Sequence, residues 1–251
     1  MREAPPAMTS REATPLLAYS NNASVERGAK DWAMLLSVGA IQWPWLLKSL
    51  YGGRSRDKAA LLARLGLPDD ALPNLGRWKA DVHLLALIAD LIVKMQPKMI
   101  VELGAGATTL VASQSLAMAG TGGRVVSYDQ HADFVGATRE WLAFHGVVSD
   151  IRHAPLASPS GEYGDLWYQL AQVPEEIDVL LIDGPPWATN PLIRGHAQRL
   201  FDHIAPGGHV ILDDAARPGE RFIAHRWQRD WPEFDWHYSA KGKGVLVGKR
   251  R

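Results

Sequence analysis

Residues 99–106 read MIVELGAG, and residues 107–119 continue as ATTLVASQSLAMA. The short apolar run, the glycine turn and the long stretch of helix formers predict a strand, a tight turn and a helix, in that order. Such a turn is typical of a nucleotide site, because glycines let the backbone approach a ligand and the first helical N–H groups face it. The candidate binding residues here are Glu102, Gly104, Gly106 and Thr108.

The next segment extends this pattern. Residues 124–128 (RVVSY) predict a second strand that ends at Asp129. An acidic residue at such a strand end, about 20–25 residues beyond the glycine turn, can accept hydrogen bonds from both hydroxyls of a ribose. Asp129 could instead cap the helix predicted over residues 131–144, and both roles stay open. Thr109 stands where a dinucleotide fingerprint has its third glycine, which favours a nucleoside without a pyrophosphate over NAD.

Helix and strand patterns alternate through the rest of the chain. The run at 177–183 (IDVLLID) is nearly continuous in apolar residues, as a parallel strand buried on both faces requires. Asp81 is the predicted N-cap of a helix that ends before Pro97. The other predictions are helices over 81–95 and about 192–204, strands over 147–156 and 209–212, and a hairpin of strands 234–239 and 244–249. This order predicts an α/β fold with a mostly parallel sheet.

Composition narrows the functional classes. The chain has 251 residues, 27 basic and 27 acidic side chains, and no cysteine. Balanced charge argues against a nucleic-acid partner, because such proteins usually carry a basic excess. The lack of cysteine excludes disulfides, a cysteine nucleophile and thiolate metal sites, and it fits a cytoplasmic location.

The N-terminal third differs from the rest. Residues 1–15 are rich in proline, mixed in charge and without an apolar run, which predicts a disordered tail. A signal peptide would need an apolar stretch directly after its basic start. Residues 16–77 predict a helical extension that acts as a lid, an acceptor-specificity element or an interfacial segment. Residues 78–251 then form the main domain.

The most apolar stretch lies within this extension. Residues 32–47 (WAMLLSVGAIQWPWLL) are interrupted by Gln42 and Pro44. They are shorter than the roughly 20 apolar residues of a membrane-spanning helix. We predict a helix broken near Pro44, which is either packed against the protein or laid on a membrane surface with Trp43 and Trp45 among the headgroups.

Six segments together resemble the class I S-adenosylmethionine-dependent methyltransferases. They are VELGAGATTL (101–110), VVSYDQ (125–130), IRHAPL (151–156), IDVLLIDGPP (177–186), PGGHVILDDA (206–215) and the C-terminal hairpin. The resemblance covers about residues 78–249. It implies a Rossmann-like seven-stranded sheet, mostly parallel, with an antiparallel last strand, and S-adenosylmethionine as cofactor.

The resemblance also assigns roles to particular residues. Asp129 would hold the ribose, His153 and Ala154 would flank the adenine, and Asp183 would lie at the mouth of the active site as the candidate catalytic residue. The implied cofactor contacts are Glu102, Gly104, Gly106, Thr108, Asp129, Gln130, His153, Ala154 and Asp183.

Three aspartates predict a possible metal site. Asp183, Asp213 and Asp214 fall at the carboxyl ends of neighbouring predicted strands, where an open parallel sheet holds its ligands. Three converging carboxylates repel one another unless a cation or protons compensate, and oxygen ligands suit Mg²⁺, Mn²⁺ or Ca²⁺. The arrangement is similar to that of metal-dependent O-methyltransferases that act on catechols or sugars.

Simpler roles for these aspartates stay open. Asp214 could cap the next helix, and Asp183 could shape a loop. The catechol enzymes also place a lysine base just after their aspartate, whereas residues 184–186 here are Gly-Pro-Pro. A base must therefore be sought in Asp183 or a histidine.

We therefore predict an S-adenosylmethionine-dependent O-methyltransferase for a small-molecule or saccharide acceptor, with a divalent cation as an open question. One alternative is another enzyme of the same fold, such as an aminopropyl transferase. A second is a non-catalytic scaffold that residues 32–47 attach to the inner face of a membrane. The sequence leaves the acceptor and the oligomeric state open.

Overall fold

The computed structural model describes residues 27–72, 75–76 and 80–251. The predicted tail at 1–15, the first part of the extension and the predicted boundary at 77/78 lie outside the described residues. So does the side chain of Trp78.

The predicted seven-stranded sheet is confirmed. Its strand order is β3-β2-β1-β6-β7-β9-β8, and β4 and β5 form a separate two-stranded pair. The pairings from β3 to β7 are parallel, while the last strand, β9, runs antiparallel to both β7 and β8. The strands are β1 (Met99–Leu103), β2 (Arg124–Asp129), β3 (Asp150–His153), β4 (Leu156–Ala157), β5 (Trp167–Tyr168), β6 (Ile177–Ile182), β7 (Ile204–Leu212), β8 (Phe234–Ser239) and β9 (Val245–Arg250).

Helices cover both faces of this sheet. Successive strand residues point to opposite faces, so Ile100 packs in one core and Val101 in the other. The first core lies under α2 to α5, and the second lies under α6 and the segment 193–203. The helices are α1 (Ala29–Ser49), α2 (Ser55–Arg64), α3 (Val82–Met95), α4 (Ala107–Ala119), α5 (Ala132–Phe144) and α6 (Pro218–Asp230), with 3₁₀ turns at Tyr163–Asp165 and Ile193–His203.

The start of α3 follows the sequence closely. The carboxylate of Asp81 accepts a hydrogen bond from the Leu84 N–H at 2.9 Å, as an N-cap does. Leu62 and Leu72 of the N-terminal region are buried in the same core as Leu85 of α3. This part of the extension thus packs directly against the main domain.

The predicted break near Pro44 is wrong, because α1 continues through this residue to Ser49. Proline removes one helical N–H and frees the carbonyl of Ala40. Ala40 and Pro44 both lie on the exposed side of the helix, where water can hydrate that carbonyl.

Three further boundaries differ from prediction. The third strand covers only Asp150–His153, because Pro155 has no N–H to continue the ladder and the chain turns to form β4. The segment predicted as a helix over 192–204 is a 3₁₀ helix. Strand β7 begins at Ile204, ahead of the predicted start at 209.

Candidate active site

The predicted cofactor residues meet at one edge of the sheet. The Gly104 N–H donates to the Tyr128 carbonyl near the end of β2 at 2.8 Å, and the Ala154 N–H donates to the Asp129 carbonyl at 2.9 Å. The Asp183 N–H donates to the last carbonyl of β1, also at 2.9 Å. These bonds hold the carboxyl ends of β1, β2, β3 and β6 side by side.

The glycine turn is closed on one side and open on the other. Gly104 has a φ of +96°, and a Cβ there would lie 2.7 Å from the Gly184 nitrogen, so this position requires glycine. A Cβ on Gly106, by contrast, would meet nothing within 4 Å. The backbone at Gly106 is therefore free to take a ligand against it.

A buried carboxylate supports the turn from below. Thr109 Oγ1 accepts the Gly106 N–H at 2.8 Å and donates to Glu102 Oε2 at 2.5 Å, and Ser127 Oγ donates to the same oxygen at 2.5 Å. Burial raises the pKa of Glu102 to about 7. Thr109, which departs from the dinucleotide pattern, thus links the turn to Glu102. Thr108 is buried beside it at the start of α4.

Asp129 closes the site on the β2 side. Its carboxylate is buried and accepts the His131 N–H at 3.0 Å. The N-cap of α5 is His131, so the alternative in which Asp129 caps this helix is wrong. Ala154 is buried next to Asp129, whereas His153 is exposed, with Nε2 3.2 Å from the Gln130 carbonyl oxygen.

Sequence analysis missed one residue of this edge. The Tyr168 hydroxyl donates to Gln130 Oε1 at 3.2 Å and lies where a Cβ of Gly184 would point. Tyr168 comes from β5, and nothing in its sequence surroundings marks it.

The three aspartates predicted to converge do so. One carboxylate oxygen from each of Asp183, Asp213 and Asp214 lies within 4.8 Å of the other two. The Asp183 side chain is 17% exposed, while those of Asp213 and Asp214 are almost fully buried. The N-cap of α6 is Arg217, so the alternative in which Asp214 caps this helix is wrong.

Two buried arginines face these carboxylates. Arg194 Nη1 lies 3.3 Å from Asp214 Oδ2, and Arg194 Nη2 lies 3.4 Å from Asp183 Oδ1. Arg217 Nη1 lies 3.0 Å from Asp214 Oδ2. Glu220 of α6 is also buried, and its Oε1 lies 3.9 Å from Arg194 Nη1.

A lysine, Lys243, lies between the carboxylates of Asp213 and Asp214. Lys243 Nζ is 3.0 Å from Asp213 Oδ2 and 3.1 Å from Asp214 Oδ1, and the side chain is 2% exposed. Its own backbone N–H donates to Asp81 Oδ2 at 2.7 Å. The turn between β8 and β9 is thus fixed to α3 and to the end of β7.

The carboxyl groups of Asp183 and Asp214 differ in how readily they bind a proton. Burial and then the negative charge of Asp213 raise the pKa of Asp183 to about 8. Burial also disfavours the charged form of Asp214, but Arg217 and Lys243 outweigh it and hold the pKa of that carboxyl well below its usual range. At neutral pH the cluster therefore holds a proton on Asp183 more readily than on Asp214.

The sheet order and the ligand edge can be compared with known proteins. Residues 101–215 match the family model of a methyltransferase domain. This segment therefore resembles a methyltransferase domain, in agreement with the resemblance to the class I S-adenosylmethionine-dependent methyltransferases that the sequence shows. A search of the curated proteins finds no match to it.

Solved methyltransferases share the fold of this chain at low identity. It is similar to the O-methyltransferase from Bacillus cereus in complex with SAH, with 16% identity, a TM-score of 0.54, and 87% of this chain and 100% of that one covered. An SAH-bound methyltransferase from Podospora anserina has 14% identity, a TM-score of 0.53, and coverage of 91% and 99%. A methyltransferase from Geobacter sulfurreducens has 21% identity, a TM-score of 0.50, and coverage of 86% and 96%.

The carboxylate cluster of this protein is a poor fit for a divalent cation. The donor atoms are oxygens, as Mg²⁺ and Ca²⁺ prefer, and their spacing suits a metal. A metal would have to lie roughly 2.0–2.6 Å from these oxygens. Lys243 Nζ already lies 3.0 and 3.1 Å from one oxygen of each of two of the three carboxylates. A divalent cation at the same carboxylates would lie close to this ammonium and be repelled by it.

Proposed function

We propose that the protein transfers a methyl group from S-adenosylmethionine to a hydroxyl oxygen of a small molecule or saccharide. The observation that carries this proposal is the juxtaposition of the buried Asp129 carboxylate with the open backbone at Gly106. A carboxylate at this strand end suits a ribose, and an open glycine turn suits the rest of a nucleoside.

The chain's own residues would then have separate tasks. Asp129 accepts hydrogen bonds from the two ribose hydroxyls, and Ala154 with His153 borders the adenine. Bound S-adenosylmethionine supplies a methyl group already activated on a positively charged sulfur. The protein's main task is to hold the acceptor oxygen in line with that methyl group and exclude other geometries.

The ionised form of Asp183 is the proposed proton acceptor, and because the pKa of this carboxyl is about 8, we expect methyl transfer to become faster as the pH rises through this value. Of the four carboxylates in the cluster, its side chain is the most exposed, at 17%, and it follows directly on the strand next to the glycine turn. As the acceptor oxygen bonds to the methyl carbon, the bond from that carbon to sulfur would break, S-adenosylhomocysteine (SAH) would leave, and the proton of the acceptor would move to an Asp183 carboxylate oxygen. Arg194, which contacts Asp183 and three backbone carbonyls, keeps that carboxylate in position.

Isothermal titration with S-adenosylmethionine and SAH tests the cofactor half of the proposal. We expect Asp129→Ala to weaken binding by at least about 10- to 100-fold, because it removes two hydrogen bonds and a single one to a charged group is already worth about that factor. The matched control is Asp133→Ala, which removes an exposed acid four residues further on. Failure of the wild type to bind either ligand would refute the proposal.

A panel of acceptors with a labelled methyl donor tests the other half. Phenols with one hydroxyl, catechols and free saccharides cover the proposed acceptor classes. Transfer to oxygen in any class supports the proposal, whereas transfer only to amines would contradict the O-methylation part alone.

A second proposal concerns the location of the enzyme. Helix α1 exposes five large apolar side chains, and four of them form what we call the α1 stripe: Trp32, Leu36, Trp43 and Leu47. Their spacing of four, seven and four residues places them along one face over about 22 Å of helix. None of the helices among the described residues is long and apolar enough to cross a bilayer. We propose that the α1 stripe lies on a membrane surface, with the exposed Lys30 and Lys48 near anionic headgroups.

Flotation with vesicles of phosphatidylcholine and phosphatidylglycerol tests this location. The full chain should float, and the double variant Trp43→Ser/Leu47→Ser should stay in the dense fraction. Val148→Ser, which removes an apolar side chain that is 98% exposed elsewhere, should float like the wild type. A wild type that stays in the dense fraction, or a dimer in size exclusion that the double variant dissociates, would refute membrane contact.

A further inference from the structure

The position of Lys243 raises a question that the proposed reaction leaves open. Its ammonium is almost completely buried, and it makes close contacts to two carboxylates from the end of β7. A buried lysine is costly unless it is paired, so its burial must be compensated by these contacts. The site that would suit a metal by its oxygens therefore already holds a positive charge.

The surrounding chain is built to keep this charge in place. The Ala215 N–H donates to the Gly244 carbonyl at 2.9 Å, and the Ala216 N–H donates to the Lys243 carbonyl at 3.2 Å. Gly244 has a φ of +83°, and a Cβ there would lie 2.6 Å from the Ala216 nitrogen. With the bond from the Lys243 N–H to Asp81, these contacts fix the lysine backbone on two sides.

The cations already present point the same way. Three buried cations, Arg194, Arg217 and Lys243, face the carboxylates of Asp183, Asp213, Asp214 and Glu220. A divalent cation among these carboxylates would lie close to the Lys243 ammonium, and the two positive charges would repel each other strongly.

We infer that Lys243 takes the place of a divalent cation, so that this protein organises its carboxylate cluster without a metal ion. The ammonium is too deeply buried to reach an acceptor, so it holds Asp213 and Asp214 in place and cannot chelate a substrate. The acceptor then needs no pair of neighbouring oxygens. This last step rests on the proposed function, whereas the exclusion of metal does not.

Manganese binding tests the inference independently of activity. We titrate the full chain with Mn²⁺ and follow the free ion by electron paramagnetic resonance, with thermal unfolding in EDTA and in Mn²⁺ alongside. The wild type should leave the Mn²⁺ signal unchanged, and its Tm should be the same in both buffers. Wild-type binding of Mn²⁺ that Asp213→Asn abolishes would overturn the inference.

A matched pair of variants sharpens this test. Lys243→Ala opens room among the carboxylates, whereas Lys243→Met removes the charge and keeps most of the volume. Both should lower the Tm by roughly 10 °C, as loss of one partner of a buried ion pair does in a chain of this size. Only Lys243→Ala should bind Mn²⁺ and regain part of the lost Tm.

Controls separate the outcomes. Lys241→Ala removes an exposed lysine from the same turn and should behave like the wild type. A folded Lys243→Ala that binds no Mn²⁺ would overturn the inference, and if this variant does not fold, the wild-type titration decides alone. SAH titration of the wild type is read separately, so a failure of the proposed methyltransferase function is distinguishable from a failure of the metal-free cluster.

Discussion

The buried carboxyl group of Glu102 should make stability depend on pH in a way that one substitution removes. Its pKa is raised by burial from 4.5 to about 7 in the folded protein. Between these two values the folded state keeps a proton that the unfolded state has released. Stability therefore falls as the pH rises through this interval.

The structure sets the size of this effect. A difference between about 7 and 4.5, at about 1.4 kcal/mol per pKa unit, gives a penalty of about 3 kcal/mol at pH 8. At pH 5 most of the penalty is absent, because the folded side chain is still protonated. Glu102→Gln keeps the shape and an acceptor oxygen for Thr109 and Ser127 but cannot ionise.

Urea unfolding of the wild type and Glu102→Gln at pH 5 and pH 8 measures the effect. Other groups titrate alike in both proteins, so the difference between them isolates Glu102. We expect the free energy of unfolding of Glu102→Gln, relative to that of the wild type, to be about 2–3 kcal/mol higher at pH 8 than at pH 5. Glu140→Gln, at an exposed position on α5, should show no such change. Equal pH dependence in the wild type and Glu102→Gln would refute the assignment of a proton to this site.

Three more predictions concern the glycine turn and the carboxylate cluster. Gly104→Ala should lower the free energy of unfolding by at least about 1 kcal/mol and abolish SAH binding in calorimetry, because its Cβ would collide with Gly184. A variant that binds SAH as tightly as the wild type does would contradict this prediction. Asp183→Asn should lower kcat by about 10²-fold or more in the methyl-transfer assay and leave the SAH Kd within about threefold; an unchanged kcat would exclude it as the base. Arg194→Met should cost about 3–5 kcal/mol in urea unfolding, and Arg199→Met, from an exposed pair in the same 3₁₀ helix, less than about 1 kcal/mol. Similar losses in the two arginine variants would show that burial of the pair is not what matters.

Local patterns predicted the segments that meet at the carboxyl edge of the sheet, because each of these segments is short and carries its own signal. The apolar run of β1, the glycines at 104 and 106 and the acid at 129 each report on the backbone immediately around them. The parallel order of the strands then brings their carboxyl ends together. Pro44 shows the limit of such local reasoning, because whether a proline breaks a helix depends on whether water can reach the freed carbonyl.

The partners of the carboxylates were harder to foresee, for two different reasons. Leu212 of β7 pairs with Leu246 of the antiparallel β9, so residues just after β7 lie beside residues just before β9. Lys243 could thus have been placed near Asp214 once β9 was set next to β7. Arg194 could not, because nothing local fixes the direction of a side chain on a 3₁₀ helix between two strands.

The buried charges explain how the proposed base can be held firmly and still react. Asp213 and Asp214 are paired inside the protein, and removal of any partner would leave an uncompensated charge at low exposure. These pairs tie together the ends of β6 and β7, the 3₁₀ helix and the β8–β9 turn. Asp183 shares Arg194 with Asp214 but keeps part of its side chain open to solvent. Because its side chain is the most exposed of the four carboxylates, Asp183 is the member of the cluster best placed to exchange a proton with a bound acceptor.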